Sequence, residues 1–183
     1  MTGLVNATAG LILAAGAGER FGGPKAPAVV GGERLVDRSV RILQETGCAP
    51  IVVVLGAWIG EVPNAIPVVN SNWQEGMGSS LRTGLDYLLS TSATSALITL
   101  VDLPGLTALG CARIVESRAG VAAATFQGER GHPVKFSREH WAEIIKVAHG
   151  DQGARTYLHG RNDIDLIEIS DVASGVDLDY KIQ

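Results

Sequence analysis

The sequence lacks most features that mark secreted, membrane-bound or nucleic-acid-binding proteins. Cys48 and Cys111 are its two cysteines, too few for a disulfide framework and without metal-ligand spacing, so a reduced, cytoplasmic setting is expected. Apolar runs such as residues 51–59 fall far short of the roughly 20 residues of a membrane-spanning helix. No Lys or Arg precedes Arg20 to form the basic start of a signal peptide. A net charge of −4 argues against nucleic acid and anionic membranes as partners.

Charged residues make up 19% and aromatic residues 5% of the chain, whereas hydrophobic residues reach 46%. This composition excludes a disordered chain. A chain of 183 residues is long enough to bury a stable core, and we expect one domain over residues 1–183. The 23 glycines predict tight turns and backbone lying close to a ligand.

Short apolar runs alternate with helical patterns along the chain. Helices are expected after each of the first runs, beginning near Leu35, Leu81 and Leu109. This alternation predicts the α/β class, with a mostly parallel sheet covered on both faces. Ligands of such folds bind beyond the carboxyl ends of the strands, so residues 14–25, residues 70–80 and Asp102 are candidates. The expected strands are residues 11–14, 51–55, 66–69, 96–101, 121–126 and 164–169, with residues 131–136 pairing to the fifth.

A glycine-rich loop follows the first expected strand. It lacks the Gly-Lys-Ser/Thr of a Walker A motif, because Lys25 lies between Pro24 and Ala26. Its glycine spacing is one residue too long for the dinucleotide fingerprint, and the acidic residue ending the second strand is missing. Arg20 and Lys25 remain, on a loop rich in N–H donors. Such a loop either neutralises a polyphosphate or is a flexible segment with two solvated cations.

Five sequence blocks follow one another along the chain: residues 13–25 (LAAGAGERFGGPK), 70–82 (NSNWQEGMGSSLR), 101–104 (VDLP), 131–134 (GHPV) and 150–155 (GDQGAR). In this order they resemble the MobA-like nucleotidyltransferases, and most closely the molybdenum cofactor cytidylyltransferases among them. The resemblance implies a single-domain, Rossmann-like, three-layer α/β/α nucleotidyltransferase fold.

The resemblance also implies an activity. CMP would pass from CTP to the phosphate of a small acceptor, the molybdopterin that binds molybdenum. Pyrophosphate would be released, and Mg²⁺ would be the cofactor. Transient contact with a molybdoenzyme or its chaperone is a further implied partnership. Two alternatives stay open: a guanylyltransferase of the same family, and a NAD(P)H- or flavin-dependent oxidoreductase, to which a glycine loop after the first strand is also suited.

The same resemblance assigns the residues that act on the triphosphate. Arg20, Lys25 and Asp102 are the implied catalytic residues, and Asp102 and Asp179 the implied Mg²⁺ ligands. The Thr-Pro-Glu-Asp that follows Asp179 in the family is absent here, so Asp177 is an alternative ligand. By itself, an Asp before Leu-Pro often only caps a turn.

Nucleotide and acceptor contacts are implied elsewhere. Ala15, where guanylyltransferases of the family carry glycine, favours CTP over GTP, although one carbon discriminates only about 1–3 kcal/mol. His132 and Arg155 are the implied acceptor residues, and His132 is alternatively a turn residue before Pro133. Trp73 and Met77 are expected to pack, and Arg82 to touch phosphate or brace its loop. The implied nucleotide-binding residues are Leu13, Ala14, Ala15, Gly16, Ala17, Gly18, Lys25, Gly78, Ser79 and Ser80, the two serines being good helix caps as well.

Overall fold

The computed structural model describes residues 7–180. Within that range the strands alternate with helices over most of the chain. The strands are β1 (Thr8–Leu13), β2 (Val29–Val30), β3 (Glu33–Arg34), β4 (Ile51–Leu55), β5 (Ile66–Val69), β6 (Ser95–Leu100), β7 (Val121–Phe126), β8 (Glu129–Ser137) and β9 (Ile164–Glu168). The α-helices are α1 (Leu35–Glu45), α2 (Met77–Leu89), α3 (Ala108–Glu116), α4 (Trp141–Val147) and α5 (Arg155–Leu158).

Seven strands form one sheet in the order β5-β4-β1-β6-β8-β7-β9. β1 pairs in parallel with both β4 and β6, and β5 and β9 also pair in parallel with their neighbours. β8 is antiparallel to β6 and to β7. The mostly parallel sheet predicted from the alternation is confirmed, and β2 and β3 form a separate small hairpin.

Helices cover both faces of the sheet, which makes three layers. Along β1, Ile12 packs into the core under α1 and α3, whereas Leu11 and Leu13 pack into the core under α2 and α4. Successive side chains of a strand point to opposite faces, so a strand buried on both faces must be apolar throughout. This requirement explains the uninterrupted apolar run of β4 as well, all of which is buried.

The path of the chain creates the crevice that holds the site. After β1 the chain builds β4 and β5 on one side, then crosses back to place β6 on the other side of β1. The loops after β1 and β6 therefore leave the sheet at adjacent carboxyl ends and diverge, which is where ligands bind in open α/β sheets.

The six expected strands and the three expected helices are present, with ends shifted by a few residues. The β2–β3 hairpin lies where a continuous loop was expected, because its two-residue strands carry no periodic apolar pattern. Helix α5 has only four residues and was not anticipated for the same reason. No helix within residues 7–180 is long and apolar enough to cross a membrane.

Candidate active site

A cavity of about 500 Å³ opens at the carboxyl ends of β1 and β6. Lys25 and Asp102, from the two loops, meet in it: the lysine Nζ donates to Asp102 Oδ2 at 2.7 Å. Both side chains are largely buried, with 16% and 17% of their surface exposed. The glycine loop contributes residues 14–21 to the wall, and Leu13 and Leu100 contribute the strand ends. The two residues implied to act on one triphosphate therefore share one cavity.

The segment after β9 carries a second carboxylate into this cavity. It lies along the loop that follows β6, because Ser174 N–H donates to the Gly105 carbonyl and Leu178 N–H donates to the Asp102 carbonyl, each at 2.9 Å. Asp179 then faces the cations, with Oδ1 3.1 Å from Arg20 Nη2 and 3.9 Å from Lys25 Nζ. Asp177 is exposed and does not line the cavity. The geometry thus favours Asp179 over Asp177 as a partner of Asp102.

Two cations and two carboxylates neutralise one another at this point. Among the described residues there is no group of three or more His, Cys, Asp or Glu side chains that could enclose a metal ion. A pair of carboxylates nevertheless suits Mg²⁺, which takes one or two carboxylates together with substrate phosphates and water. Asp102 and Asp179 fit such a site only when a ligand supplies the remaining oxygens.

The glycine loop owes its shape to a tight internal turn. Gly18 has a φ of +62°, and the N–H groups of Gly22 and Gly23 both donate to its carbonyl. A Cβ at position 18 would lie 2.1 Å from the Gly23 carbonyl oxygen, so only glycine fits. Next to Lys25, Ala26 is fully buried and its carbonyl accepts from Val36 N–H. The turn and this anchor together aim Lys25 into the cavity.

Open backbone donors line the same loop. Within residues 7–180, the amides of residues 15–18 donate no backbone hydrogen bond, and a Cβ at Gly16 would meet nothing within 4 Å. The first turn of α2 also borders the cavity through Gly76, Met77 and Ser80. Loop amides and a helix N-terminus both favour anions, so this wall of the cavity suits phosphate groups.

The implied base-recognition residues divide between the cavity and the interior. Ser80 lines the cavity and accepts from Asn70 Nδ2 at 3.1 Å. Ser79 lies outside it, with its hydroxyl within 2.9 Å of the carbonyls of Asn72 and Gly76, as a structural serine at a helix start does. Gly78 also lies outside the cavity. It packs against the backbone near His149, since a Cβ at Gly78 would lie 2.7 Å from His149 N.

Two further residues of this loop hold it in place. Gly76 has a φ of +105°, and a Cβ there would lie 2.4 Å from Asp151 Oδ1. Arg82 does not line the cavity; it donates to the Ala148 carbonyl and pairs with Glu75 Oε2 at 2.8 Å. Of the two roles expected for Arg82, the structure shows bracing of the loop.

A second cavity, of about 260 Å³, adjoins the first and contains both implied acceptor residues. The two cavities share Leu13, Met77, Leu100 and Asp151 as lining residues. Arg155 reaches the second cavity from the start of α5. An acceptor held there would lie next to a nucleotide held in the first cavity.

His132 lies inside strand β8 and not in a turn before Pro133. Its Nδ1 is 3.4 Å from the Ile98 carbonyl oxygen. Desolvation is the largest influence and lowers the pKa of His132 below its ordinary value, whereas the Ile98 hydrogen bond and the Asp102 charge act in the other direction. The imidazole is therefore neutral near pH 7 and offers hydrogen bonds to a ligand without adding charge.

Several lining residues were not anticipated from the sequence. Trp73 and Met77, expected to pack, also line the main cavity, as do Gln74 and Asp151. Arg130 lines the second cavity. Asp151 belongs to the 150–155 block, so its position in that block was the available signal, whereas Arg130 lies one residue before the 131–134 block and carried none.

A glycine loop, a lysine and an aspartate at the switch point of an open α/β sheet define a nucleotide-binding protein of the nucleotidyltransferase type. Residues 10–165 match the MobA-like NTP transferase domain, and the chain belongs to that family. The expectation based on the five sequence blocks is therefore confirmed at the level of family and fold.

The proteins and solved structures that are similar to this chain include the following three. Nicotine blue oxidoreductase of Paenarthrobacter nicotinovorans is 36% identical, over 93% of this chain and 91% of its own. A probable molybdenum cofactor guanylyltransferase of Opitutus terrae is 31% identical, over 59% of this chain and 54% of its own. The crystal structure of Rv0371c from Mycobacterium tuberculosis is 24% identical with a TM-score of 0.81, covering 95% of this chain and 94% of that one.

Proposed function

We propose that this protein transfers CMP from CTP to a phosphorylated small molecule of the molybdopterin type and releases pyrophosphate. One observation carries the proposal: Lys25 Nζ bonds to Asp102 at 2.7 Å, with Asp179 3.9 Å away, in a cavity walled by the glycine loop. This arrangement places fixed cations, carboxylates for a metal ion and free amides around one space, as nucleotidyl transfer requires.

The protein residues have separate roles in this reaction. Lys25 and Arg20 bind the triphosphate and neutralise the charge that grows on the departing pyrophosphate. The amides of residues 15–18 orient the phosphates. Asp102 and Asp179 would hold Mg²⁺, which when bound supplies Lewis-acid neutralisation of phosphate oxygens. An acceptor phosphate is already an anion, so no side chain has to remove a proton, and catalysis rests on positioning.

The preference for CTP rests on Ala15. Its side chain is buried and lines the main cavity. A Cβ at Gly56 would be 2.6 Å from Trp73 Cβ and 2.8 Å from Ala15 Cβ, so these three residues pack without spare room. The Ala15 methyl thus packs against Gly56 and Trp73 at the cavity wall, and the support for the smaller pyrimidine over guanine comes from the sequence resemblance at this position.

A second candidate function is that of a NAD(P)H- or flavin-dependent oxidoreductase acting on a small molecule. The observation in its favour is the 36% identity to nicotine blue oxidoreductase over 93% of the chain. The glycine spacing and the absence of a ribose-binding carboxylate after the second strand speak against a dinucleotide. A carboxylate pair beside Lys25 also has no evident use in hydride transfer.

One screen separates the candidates. The four nucleoside triphosphates are supplied with Mg²⁺ and either molybdopterin-type or simpler phosphorylated acceptors, and pyrophosphate is measured; NADH and NADPH oxidation is followed in parallel. We expect pyrophosphate with CTP above the other nucleotides, and its loss in Lys25→Gln but not in Lys146→Gln, a surface lysine paired with Glu143. Nicotinamide oxidation without pyrophosphate would establish the second candidate instead.

A further inference from the structure

Strand β8 builds one wall of the second cavity with a gradient of polarity. Arg130, His132, Val134 and Phe136 alternate along the strand and all line this cavity. Alternate residues of a strand share a face, so one face presents a cation, a neutral imidazole and then two apolar side chains. The exposed arginine lies at the outer end, and Val134 and Phe136 are buried at the inner end.

The cations of this cavity are available to a ligand. Across residues 7–180 most arginines pair with carboxylates, as Arg113 does with Asp171 at 2.7 Å. Arg130 and Arg155 form no ion pair and no side-chain hydrogen bond within that range, yet they line the same cavity of about 260 Å³. Asp151 also lines this cavity. Two guanidinium groups against this one carboxylate give the cavity an excess of positive charge.

The inner part of the cavity suits an apolar body. Leu81, Phe136 and Leu158 each expose 6% or less of their surface, and they line the cavity from α2, β8 and α5. Apolar walls with a few placed polar groups are typical of pockets for small organic molecules. A ligand that fills this space would place a ring face toward Phe136 and an anionic group toward the arginines.

We propose that Arg130 is a specificity-determining residue of the acceptor subsite, where with Arg155 it binds an anionic group on an acceptor whose ring system lies toward Phe136. The inference rests on the proposed function, since it describes the acceptor of that reaction. Guanidinium groups bind phosphate and carboxylate in bidentate geometry, so an acceptor with such a group is selected over its neutral analogue.

Fluorescence titration with two matched probes tests this subsite without any nucleotidyl transfer. The probes are 4-methylumbelliferyl phosphate and the neutral 4-methylumbelliferone. The wild-type protein should bind the phosphate at least tenfold more tightly than the neutral compound. Arg130→Gln should weaken phosphate binding about tenfold and leave binding of the neutral compound unchanged, because it removes one charge-assisted pair.

Two control variants locate the effect. Arg118→Gln removes an exposed arginine that also has no ion pair in the described range but lines neither cavity, and it should bind the phosphate probe as the wild type does. Lys25→Gln reports on the first cavity, to which Lys25 belongs, so a loss of probe binding in this variant would place the probe at the nucleotide site instead. The inference is overturned if Lys25→Gln rather than Arg130→Gln weakens binding, or if the wild type binds neither probe or both equally.

Titration of CTP–Mg²⁺ into the same variants keeps this inference separate from the proposed function. Arg130→Gln should bind CTP–Mg²⁺ as the wild type does. Loss of CTP binding by the wild type would contradict the proposed reaction, whereas equal probe affinities in wild type and Arg130→Gln would contradict only the role of Arg130.

Discussion

Replacing Asp179 by asparagine is expected to tighten the binding of CTP when no divalent cation is present. In the structure Asp179 engages Arg20 at 3.1 Å and lies 3.9 Å from Lys25. The two cations that should bind the triphosphate are therefore occupied by carboxylates that should bind a metal ion. Without a metal ion, an incoming triphosphate must displace these contacts and also lie beside two negative charges.

The size of the expected gain in CTP affinity follows from the exposure of the Arg20–Asp179 pair and from the distance between Asp179 and the phosphates. The Arg20–Asp179 pair is weak, because 71% of the Arg20 side chain is exposed and exposed pairs contribute about 0.2–1 kcal/mol. Removing the carboxylate also removes its repulsion of the phosphates, about 2 kcal/mol for a charge at about 8 Å with an effective dielectric constant of about 20. Screening by salt reduces this value, so we expect a gain of about 1–2 kcal/mol, or roughly 5- to 30-fold in Kd.

Calorimetry measures this effect directly. CTP is titrated into wild type, Asp179→Asn and the control Asp177→Asn, first with EDTA and then with Mg²⁺ at constant ionic strength. Asp179→Asn should bind metal-free CTP more tightly but gain less from Mg²⁺, whereas Asp177→Asn, which is exposed and outside the cavity, should match the wild type. Weaker or unchanged metal-free binding in Asp179→Asn would refute the reasoning.

Three other predictions concern the loops and strand around the site. Gly18→Ala should lower the free energy of unfolding by at least about 1–3 kcal/mol in urea titration, since its Cβ would lie 2.1 Å from the Gly23 carbonyl oxygen. Gly16→Ala is the control, because the space around its Cβ is open. Equal losses of unfolding free energy in the two variants would contradict the tight turn at Gly18. The unfolded chain binds a proton that neutral, desolvated His132 does not, so stability should fall as pH drops below about 6.5. His132→Gln should flatten this fall in thermal melts at pH 7 and pH 5.5. An unchanged slope would show that folding does not lower the pKa of His132. Arg82→Gln should raise the KM for CTP with little change in kcat in the pyrophosphate assay, because Arg82 braces the 70–82 loop without lining the cavity. A strongly reduced kcat with an unchanged KM would instead indicate a direct catalytic role for Arg82.

The sequence predicts the site best where charged residues follow predicted strands. Lys25 and Asp102 each follow an apolar strand, and carboxyl ends of parallel strands share one edge of a sheet. That β6 pairs directly with β1 is a property of topology that periodicity does not contain; the family resemblance implied only that Lys25 and Asp102 act on one triphosphate. Asp179 was accessible only through the resemblance, because a charged residue near the end of a chain carries no local signal.

Other parts of the site depend on orientation, which sequence patterns resolve poorly. Ser79 and Ser80 are adjacent, yet the first turn of α2 directs Ser79 into the interior and Ser80 to the cavity. Arg130 escaped notice because the apolar pattern predicts β8 only from residue 131, whereas the strand begins at Glu129. The face on which an arginine lies is fixed by strand register, and the hairpin that sets this register includes an irregularity between Ala123 and Thr125.

The affinity of CTP–Mg²⁺ for the wild type, Lys25→Gln and Lys146→Gln tests the central claim most directly. Loss of a charge-assisted contact to phosphate costs about 1.5–3 kcal/mol, so Lys25→Gln should bind roughly 10- to 150-fold more weakly while melting as a folded protein, and Lys146→Gln should bind normally. Equal affinity in all three proteins would show that no triphosphate lies between Lys25 and Asp102.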